Sequence, residues 1–319
     1  MQESHTATKK HMKHTSSIGS FAVMGAAILW SLDGLLRRQL FTLPSPVVVF
    51  WEHLLGLIVL LPLCVISIRA FKKLTKKQWI SIIVVSLLSG ALGTMFYTKA
   101  LAQVQFMPFS VVVLLQQLQP LFAISAAGLL LKEPITKKFL LLAIVALIAA
   151  YLVSFPDMRV NFATGKGTAF AALLAIGAAA SWGASTALSK YTLKKTSFLH
   201  VTAARFAFTP LFAFLIILLT SDMPALGAVT VFQWKYLLAI TFSTGLMALA
   251  MYYFGLQRIP ASRSTILELT WPISAILVGY FFLHESLTVT QWIGSIVLIM
   301  TMVAIVKDAR VVEMRHRSL

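Results

Sequence analysis

The stretch LLLKEPIT at residues 129–136 returns as FFLHESLT at residues 281–288, 152 positions further along the chain. When residues 120–136 are aligned with residues 272–288, six of seventeen positions are identical, where chance gives about one or two. Further matches lie at offsets of 152 or 155: Trp30 and Trp182, Trp79 and Trp234, Gly90 and Gly245, Tyr97 and Tyr252, Leu101 and Leu256. The sequence therefore predicts one structural unit present twice.

The composition is that of a membrane protein. Hydrophobic residues make up 59% of the chain and charged residues 12%, and the mean hydropathy is +0.86. Long continuous apolar runs predict helices and not a barrel, whose strands would alternate polar and apolar residues. We predict an all-α integral membrane protein with ten transmembrane helices, at residues 18–37, 46–68, 79–101, 107–131, 138–155, 168–189, 199–220, 235–256, 264–283 and 290–306. The first run also has the length of a secretory signal, but we expect a retained helix.

Each repeat contains five predicted spans, and five is odd. The second repeat should therefore enter the bilayer from the opposite side, so that Glu133 and Glu285 end on different sides. Inverted repeats around a central cavity provide a route to alternating access, although a structural membrane component or a receptor is an alternative. The predicted organisation is a basic tail at 1–17, a first repeat at 18–155, a linker at 156–167, a second repeat at 168–306 and a basic tail at 307–319.

The positive charge indicates an orientation. The formal net charge is +17, and 20 of the 27 Lys and Arg residues lie in segments that face the cytoplasm if both termini do. We therefore expect both termini on the cytoplasmic side of a bacterial inner membrane. Anionic membrane lipids are the expected partners of these basic loops, and nucleic acid is not.

Four motifs resemble a known family. LWSLDG at 29–34 and SWGASTALSK at 181–190 begin the two halves, and QPLFAISAAGLLLKEPIT at 119–136 and WPISAILVGYFFLHESLT at 271–288 lie near their ends. Together with the five-plus-five plan they resemble the EamA-type drug/metabolite transporters, over roughly residues 18–306. The resemblance implies a basket of helices around a cavity and the exchange or export of small metabolites. FWEHLLG at 50–56 stands where that family more often has an Arg-Phe pair such as the one at 205–206.

Ionisable residues inside spans are costly, so they pair or line a wet cavity. Asp33 and Arg37 are four residues apart, in the favourable order for a helical ion pair. Glu52 and Arg205 occupy nearly equivalent places in the two halves, so they either form a static pair or contact substrate or protons. His53 is either an interface residue or a proton carrier.

A second group of candidates lies on the fourth and ninth spans. Gln116, Gln119 and Pro120 have the spacing of one helix face, and their mates are Glu268, Trp271 and Pro272. The prolines are predicted to kink their helices and expose backbone carbonyls, although the glutamines alone could simply bond between helices. Four aromatic residues are candidate walls of the site or packing residues: Trp30, Tyr97, Trp182 and Tyr252.

The sequence predicts a secondary carrier of a small organic metabolite. A cavity with acidic, amide, aromatic and arginine side chains favours efflux or exchange of amino acids or related metabolites. Uptake of a cofactor or nucleotide-like metabolite is the alternative, and a membrane-embedded enzyme is a third. Proton coupling is a hypothesis motivated by Glu52, His53 and Glu268. The single Cys64 and the histidine spacing indicate no metal site, and no cofactor is expected.

Overall fold

The computed structural model describes residues 2–66, 68–103, 105–131, 136–158, 165–193, 196–259, 264 and 267–317. Within these ranges the chain is helical with short connections and contains no strand. Glu133, predicted to end near the cytoplasm, lies outside the described residues.

The helices of the first half are α1 (Gln2–Arg38), α2 (Ser45–Ile66), α3 (Lys76–Ala102), α4a (Phe109–Gln116), α4b (Gln119–Leu131) and α5 (Lys137–Ser154). Those of the second half are α6 (Gly165–Leu193), α7 (Phe198–Thr220), α8 (Val231–Arg258), α9 (Thr270–Leu283) and α10 (Val289–Arg317). The predicted N-terminal tail is helical from Gln2 and continues directly into the first span.

In the described part of the chain, eight helices are long and apolar enough to cross a membrane. Two shorter apolar helices follow in the second half, Thr270–Leu283 and Val289–Ile305. The all-α membrane class is therefore confirmed, and ten crossings stay a prediction at these last two positions.

Apolar side chains cover the outside of the helices, as lipid requires. On α7, for example, Leu211 and Leu219 are 59% and 84% exposed, whereas Ala203 and Ala213 on the opposite face are fully buried. On α6, small residues at Ala171, Ala175 and Ala179 are fully buried against neighbouring helices. Small residues at the contacts allow close helix packing, which supplies much of the stability where water cannot drive association.

The two halves interlock and do not stand side by side. α2 packs against its repeat mate α7, and α5 packs against its mate α10. α1 packs against α8 and α9 of the second half, and α6 makes the equivalent contacts with α3 and α4 of the first. This pattern is that of two repeats related by approximate two-fold symmetry, with the interior formed between them.

Regular helix is interrupted at matching places in both halves. α3 contains a π-helical segment at Ser86–Gly93, and α8 contains one at Thr241–Met247. The fourth and ninth spans are interrupted by turns just before Pro120 and Pro272. Such interruptions leave backbone carbonyls free for side chains or ligands, and they concentrate around the interior described below.

α6 approaches α4b closely at Gly183, and a substitution there tests this packing. A Cβ atom at Gly183 would overlap the carbonyl oxygen of Gln119 and lie 3.1 Å from the backbone nitrogen of Ala123. Because backbone atoms cannot rotate away, we expect Gly183→Ala to cost about 1–3 kcal/mol and to lower the thermal unfolding midpoint of the purified protein. Gly227→Ala is the matched control, since nothing lies within 4 Å of its Cβ. Equal midpoints for the two variants would contradict this packing.

Candidate functional site

A cavity of about 140 Å³ lies between the two halves. Ten of the eleven residues predicted to bind substrate line it: Trp30, Glu52, His53, Tyr97, Gln119, Trp182, Arg205, Tyr252, Glu268 and Trp271. The structure thus brings residues from both repeats to one place. Their role in substrate binding stays a prediction.

Gln116 is the exception. Its side chain is 1% exposed and does not line the cavity, and neither amide atom has a hydrogen-bond partner among the described residues. The expectation that Gln116 and Gln119 share one face is wrong, because turns at Gln117 and Leu118 separate α4a from α4b. Gln119 alone reaches the cavity, where its amide donates to the Thr186 hydroxyl at 3.4 Å.

A buried charge network lies at one wall of the cavity. The Nε of Arg37 donates to Asp33 on the same helix, and its Nη2 donates to Glu52 on α2 at 2.8 Å. The third guanidinium nitrogen donates to Thr98 on α3 at 3.1 Å. All three guanidinium nitrogens therefore have acceptors, and one arginine joins three helices.

The network continues into the second half of the chain. The hydroxyl of Thr244, in the π-helical segment of α8, donates to the second carboxylate oxygen of Asp33. Gly245 follows it, and a Cβ there would lie 3.1 Å from a Glu52 carboxylate oxygen. The side chains of Asp33, Arg37 and Glu52 are only 4–6% exposed. A group of two acids and one base is thus held at low exposure with its donors satisfied.

The hypothesis of a Glu52–Arg205 ion pair is wrong for this structure. Glu52 forms its ion pair with Arg37, and Arg205 instead donates to the Tyr253 hydroxyl at 3.1 Å. Between the same two helices, the rings of His53 and Phe206 meet with centroids 4.9 Å apart. The Nδ1 of His53 bonds the carbonyl of Val49 at 3.0 Å.

Glu268 contributes a carboxyl group to the cavity that lies outside the Arg37 network. Its carboxyl group accepts from the Ser264 hydroxyl at 3.0 Å and hydrogen-bonds with Tyr252. Among the described residues neither Glu268 nor Arg205 forms an ion pair. The cavity therefore presents one carboxyl group and one guanidinium group that are hydrogen-bonded but have no ion-pair partner among the described residues.

Five aromatic side chains form a connected cluster, which we call the aromatic box: Trp30, Tyr97, Trp182, Tyr252 and Trp271. The ring of Trp271 lies at its centre, with centroids 6.3 Å from Trp30, 6.2 Å from Tyr97 and 6.0 Å from Trp182. Trp30 also contacts Tyr252 at 5.2 Å. The tilted and edge-on geometries are favourable aromatic contacts.

Two tryptophans of the aromatic box form hydrogen bonds between the two halves. The Trp30 indole donates to the carbonyl of Thr244 at 3.1 Å, and the Trp182 indole donates to the carbonyl of Ser89 at 3.0 Å. Both carbonyls belong to π-helical segments, and both bonds occupy equivalent places in the two repeats. The indole rings are therefore fixed in position by backbone that the π-helical turns leave available.

Three donors in the cavity wall have no acceptor among the described residues. They are the Tyr97 hydroxyl, the Trp271 indole N–H and the Nε of Arg205, all buried. A buried donor without an acceptor is unfavourable, and an acceptor on water or on a ligand would relieve that cost. The unpaired donors therefore favour a ligand that carries hydrogen-bond acceptors.

Several lining residues were missed by sequence reasoning. Ser185 and Ser189 line the cavity and are the repeat mates of Asp33 and Arg37, at an offset of 152. Thr244 is the mate of Ser89, one residue before the repeated glycine in each half. The repeat alignment could have identified these residues, because each candidate in one half marks the equivalent position in the other half.

These features define a helical membrane protein with a polar, aromatic-walled cavity between two repeats. The chain matches the EamA-like transporter family over residues 17–155 and 169–307, and it belongs to that family. Both matched ranges coincide with the predicted repeats, which confirms the duplication and the resemblance to drug/metabolite transporters.

Individual relatives are also similar along most of the chain. A protein of Fusobacterium nucleatum named riboflavin transporter ImpX is 36% identical over 291 residues, covering 91% of this chain and 97% of that protein. A riboflavin transporter of Brucella anthropi is 26% identical over 262 residues, covering 81% and 86%. A solved crystal structure matches with a TM-score of 0.59 at 15% identity, covering 91% and 96%, which shows the fold alone.

Removal of Arg37 tests the charge network. Arg37→Met would leave two buried carboxylates facing each other, at a cost of about 3–5 kcal/mol. We expect a large fall in the thermal unfolding midpoint, and partial recovery when Asp33→Asn and Glu52→Gln are added. Lys138→Met is the control, because that side chain is 64% exposed and its pair with Asp308 contributes about 1 kcal/mol or less. An equal fall in both single variants would show that Arg37 is not the centre of a network.

Proposed function

We propose that this transporter carries riboflavin or a related planar cofactor-like metabolite by alternating access. The observation that carries the proposal is the aromatic box, whose five rings include Trp271 at the centre and line a cavity between the two repeats. The two relatives named as riboflavin transporters support the same substrate class. The cofactor alternative from the sequence is thus preferred over amino-acid efflux.

A flavin fits the chemistry of the walls. Its tricyclic ring system is flat and electron-poor, and it can stack against indole and phenol rings. The pyrimidine edge of the ring carries two carbonyl oxygens and an unprotonated ring nitrogen, which are acceptors for the unpaired donors of Tyr97, Trp271 and Arg205. The imide N–H between the two carbonyl groups is a donor.

The remaining polar wall suits the ribityl chain. Hydroxyl and amide groups line the cavity beside the aromatic box, from Gln119, Ser185, Thr186 and Ser189. These groups both donate and accept, as a polyol does. We therefore place the ring in the aromatic box and the polyol along the α6 hydroxyls.

A second candidate substrate is an amino acid. Glu268 and Arg205 lie in the same cavity and have no ion-pair partner in the described part of the chain. A zwitterion would place its amine against Glu268 and its carboxylate against Arg205. Competition of amino acids with bound riboflavin separates the two candidates.

Trp271 provides the test of the flavin site. Riboflavin fluorescence should be quenched when the vitamin binds to the purified protein, and Trp271→Ala should weaken binding by about tenfold or more because the central ring contact is lost. Gln119→Ala should weaken it less. The measurement is a fluorescence titration in detergent.

Trp292→Ala is the matched control, since that tryptophan lies on α10, is 45% exposed and does not line the cavity. We expect its affinity for riboflavin to equal that of the unaltered protein. Absence of riboflavin binding to the unaltered protein would reject the flavin substrate. Unchanged affinity in both the Trp271 and the Gln119 variants would place the site elsewhere.

Proton coupling is a separate proposal, and it rests on Glu268 as an unpaired carboxyl group in the cavity. If Glu268 carries the proton, an imposed pH gradient should drive riboflavin flux in liposomes, and Glu268→Gln should abolish that dependence while retaining exchange. Asp222→Asn is the control, because Asp222 lies at the end of α7 outside the cavity. Flux that ignores the gradient in the unaltered protein would reject the coupling.

A further inference from the structure

A second charged cluster lies where α1, α4a and the segment after α9 meet. We call it the Glu285 latch, and it consists of Arg38, Phe109, Ser110 and Glu285. One carboxylate oxygen of Glu285 accepts from the backbone nitrogen of Phe109 at 2.7 Å and pairs with Arg38 at 3.1 Å. The other accepts from both the backbone nitrogen and the hydroxyl of Ser110 at 3.1 Å.

These bonds join three spans through one side chain. Arg38 ends α1, Phe109 and Ser110 begin α4a, and Glu285 follows α9. The carboxylate also lies at the N-terminus of α4a, where the helix dipole favours a negative charge. No other described side chain at this end connects all three spans in this way.

The spans pack closely beneath the latch. A Cβ on Gly34 of α1 would overlap the Phe109 ring, and a Cβ on Gly279 of α9 would overlap the Ser110 hydroxyl. Both spans therefore meet α4a through glycine, with the Phe109 ring against Gly34 and the Ser110 hydroxyl against Gly279. The bonds of the latch hold together a junction in which the helices approach one another closely.

The latch differs from the Arg37 network in how completely it is bonded. Every guanidinium nitrogen of Arg37 has an acceptor, whereas the Nε and Nη2 of Arg38 have none among the described residues. The side chains of Arg38 and Glu285 are 14% and 12% exposed, against 4–6% in the network. The latch side chains are therefore more exposed and less completely bonded than those of the network.

We propose that the Glu285 latch is the releasable closure of this end of the transporter, and that its opening admits substrate to the cavity between the repeats. The charge distribution of the sequence predicts this end to be the outer one. The proposal depends on membership of the transporter family and not on which substrate is carried.

The position of Glu285 in the repeat supports a role in transport. Glu285 belongs to the FFLHESLT stretch, and its repeat mate is Glu133. Likewise, Pro108 and Ser110 have the mates Pro260 and Ser262. Glu133, Pro260 and Ser262 lie outside the described residues. Their identity with Glu285, Pro108 and Ser110 nevertheless shows that the two repeats kept the same residue types at these three positions.

Distances between spin labels test the proposal. The native cysteine is first replaced by Cys64→Ser, and labels are attached at Gln105→Cys, beside the start of α4a, and Val289→Cys, at the start of α10. Both positions are exposed, so labelling does not disturb packing. Double electron–electron resonance on the purified protein in nanodiscs then reports the separation of α4a from the α9–α10 connection.

We expect a short distance to dominate in the otherwise unaltered protein, and the population of a longer distance to rise at least twofold in Glu285→Gln. Arg38→Gln should give a smaller rise, because the bonds to α4a remain. Asp308→Asn is the matched control, since it removes a carboxylate that pairs with Lys138 at 3.4 Å and accepts from Thr136. It should leave the distance unchanged.

An unchanged distance distribution in Glu285→Gln would overturn the proposal, as would an equal change in Asp308→Asn. If Glu285→Gln does not purify as a monodisperse protein, Arg38→Gln decides the question by the same criterion. These outcomes are independent of riboflavin binding, so a wrong substrate assignment does not affect them.

Discussion

The guanidinium group of Arg37 is the interaction on which the interior depends. It satisfies two carboxylates and a hydroxyl from three helices, in a region where an unpaired charge is costly. Through Asp33 and Thr244 the same network reaches the second half of the chain. Polar groups can therefore line a cavity inside a membrane protein because most of their charge is already neutralised.

The two repeats share a backbone plan but differ in chemistry. Asp33 and Arg37 on α1 correspond to Ser185 and Ser189 on α6, and all four line the cavity. Trp271 on one side likewise corresponds to Gln119 on the other. The duplication supplies symmetrical helix packing, and substitution after duplication gives the cavity one ionic wall and one hydroxyl wall.

Much of the architecture was predictable from sequence because it depends on local patterns. Apolar run length identified the spans, and the repeated Trp30 and Trp182 identified residues that do line the cavity. The pairing of Asp33 with Arg37 was predictable because the two residues are one turn apart on α1, but partner choice between helices was not. The predicted Glu52–Arg205 ion pair is absent because Glu52 pairs with Arg37 instead, and this choice depends on the rotation of the helices. The prediction that Gln116 lines the site was wrong because a turn separates it from Gln119, and residue spacing alone does not reveal that turn.

The reciprocal indole bonds have an evolutionary consequence. Trp30 is positioned by a carbonyl of the second half, and Trp182 by a carbonyl of the first. Neither half contains the complete support for its own tryptophan. The two halves are therefore expected to diverge together. A chimera that joins the first repeat of one carrier to the second repeat of a distant homologue would combine indole groups and backbone carbonyls from structures that did not evolve together.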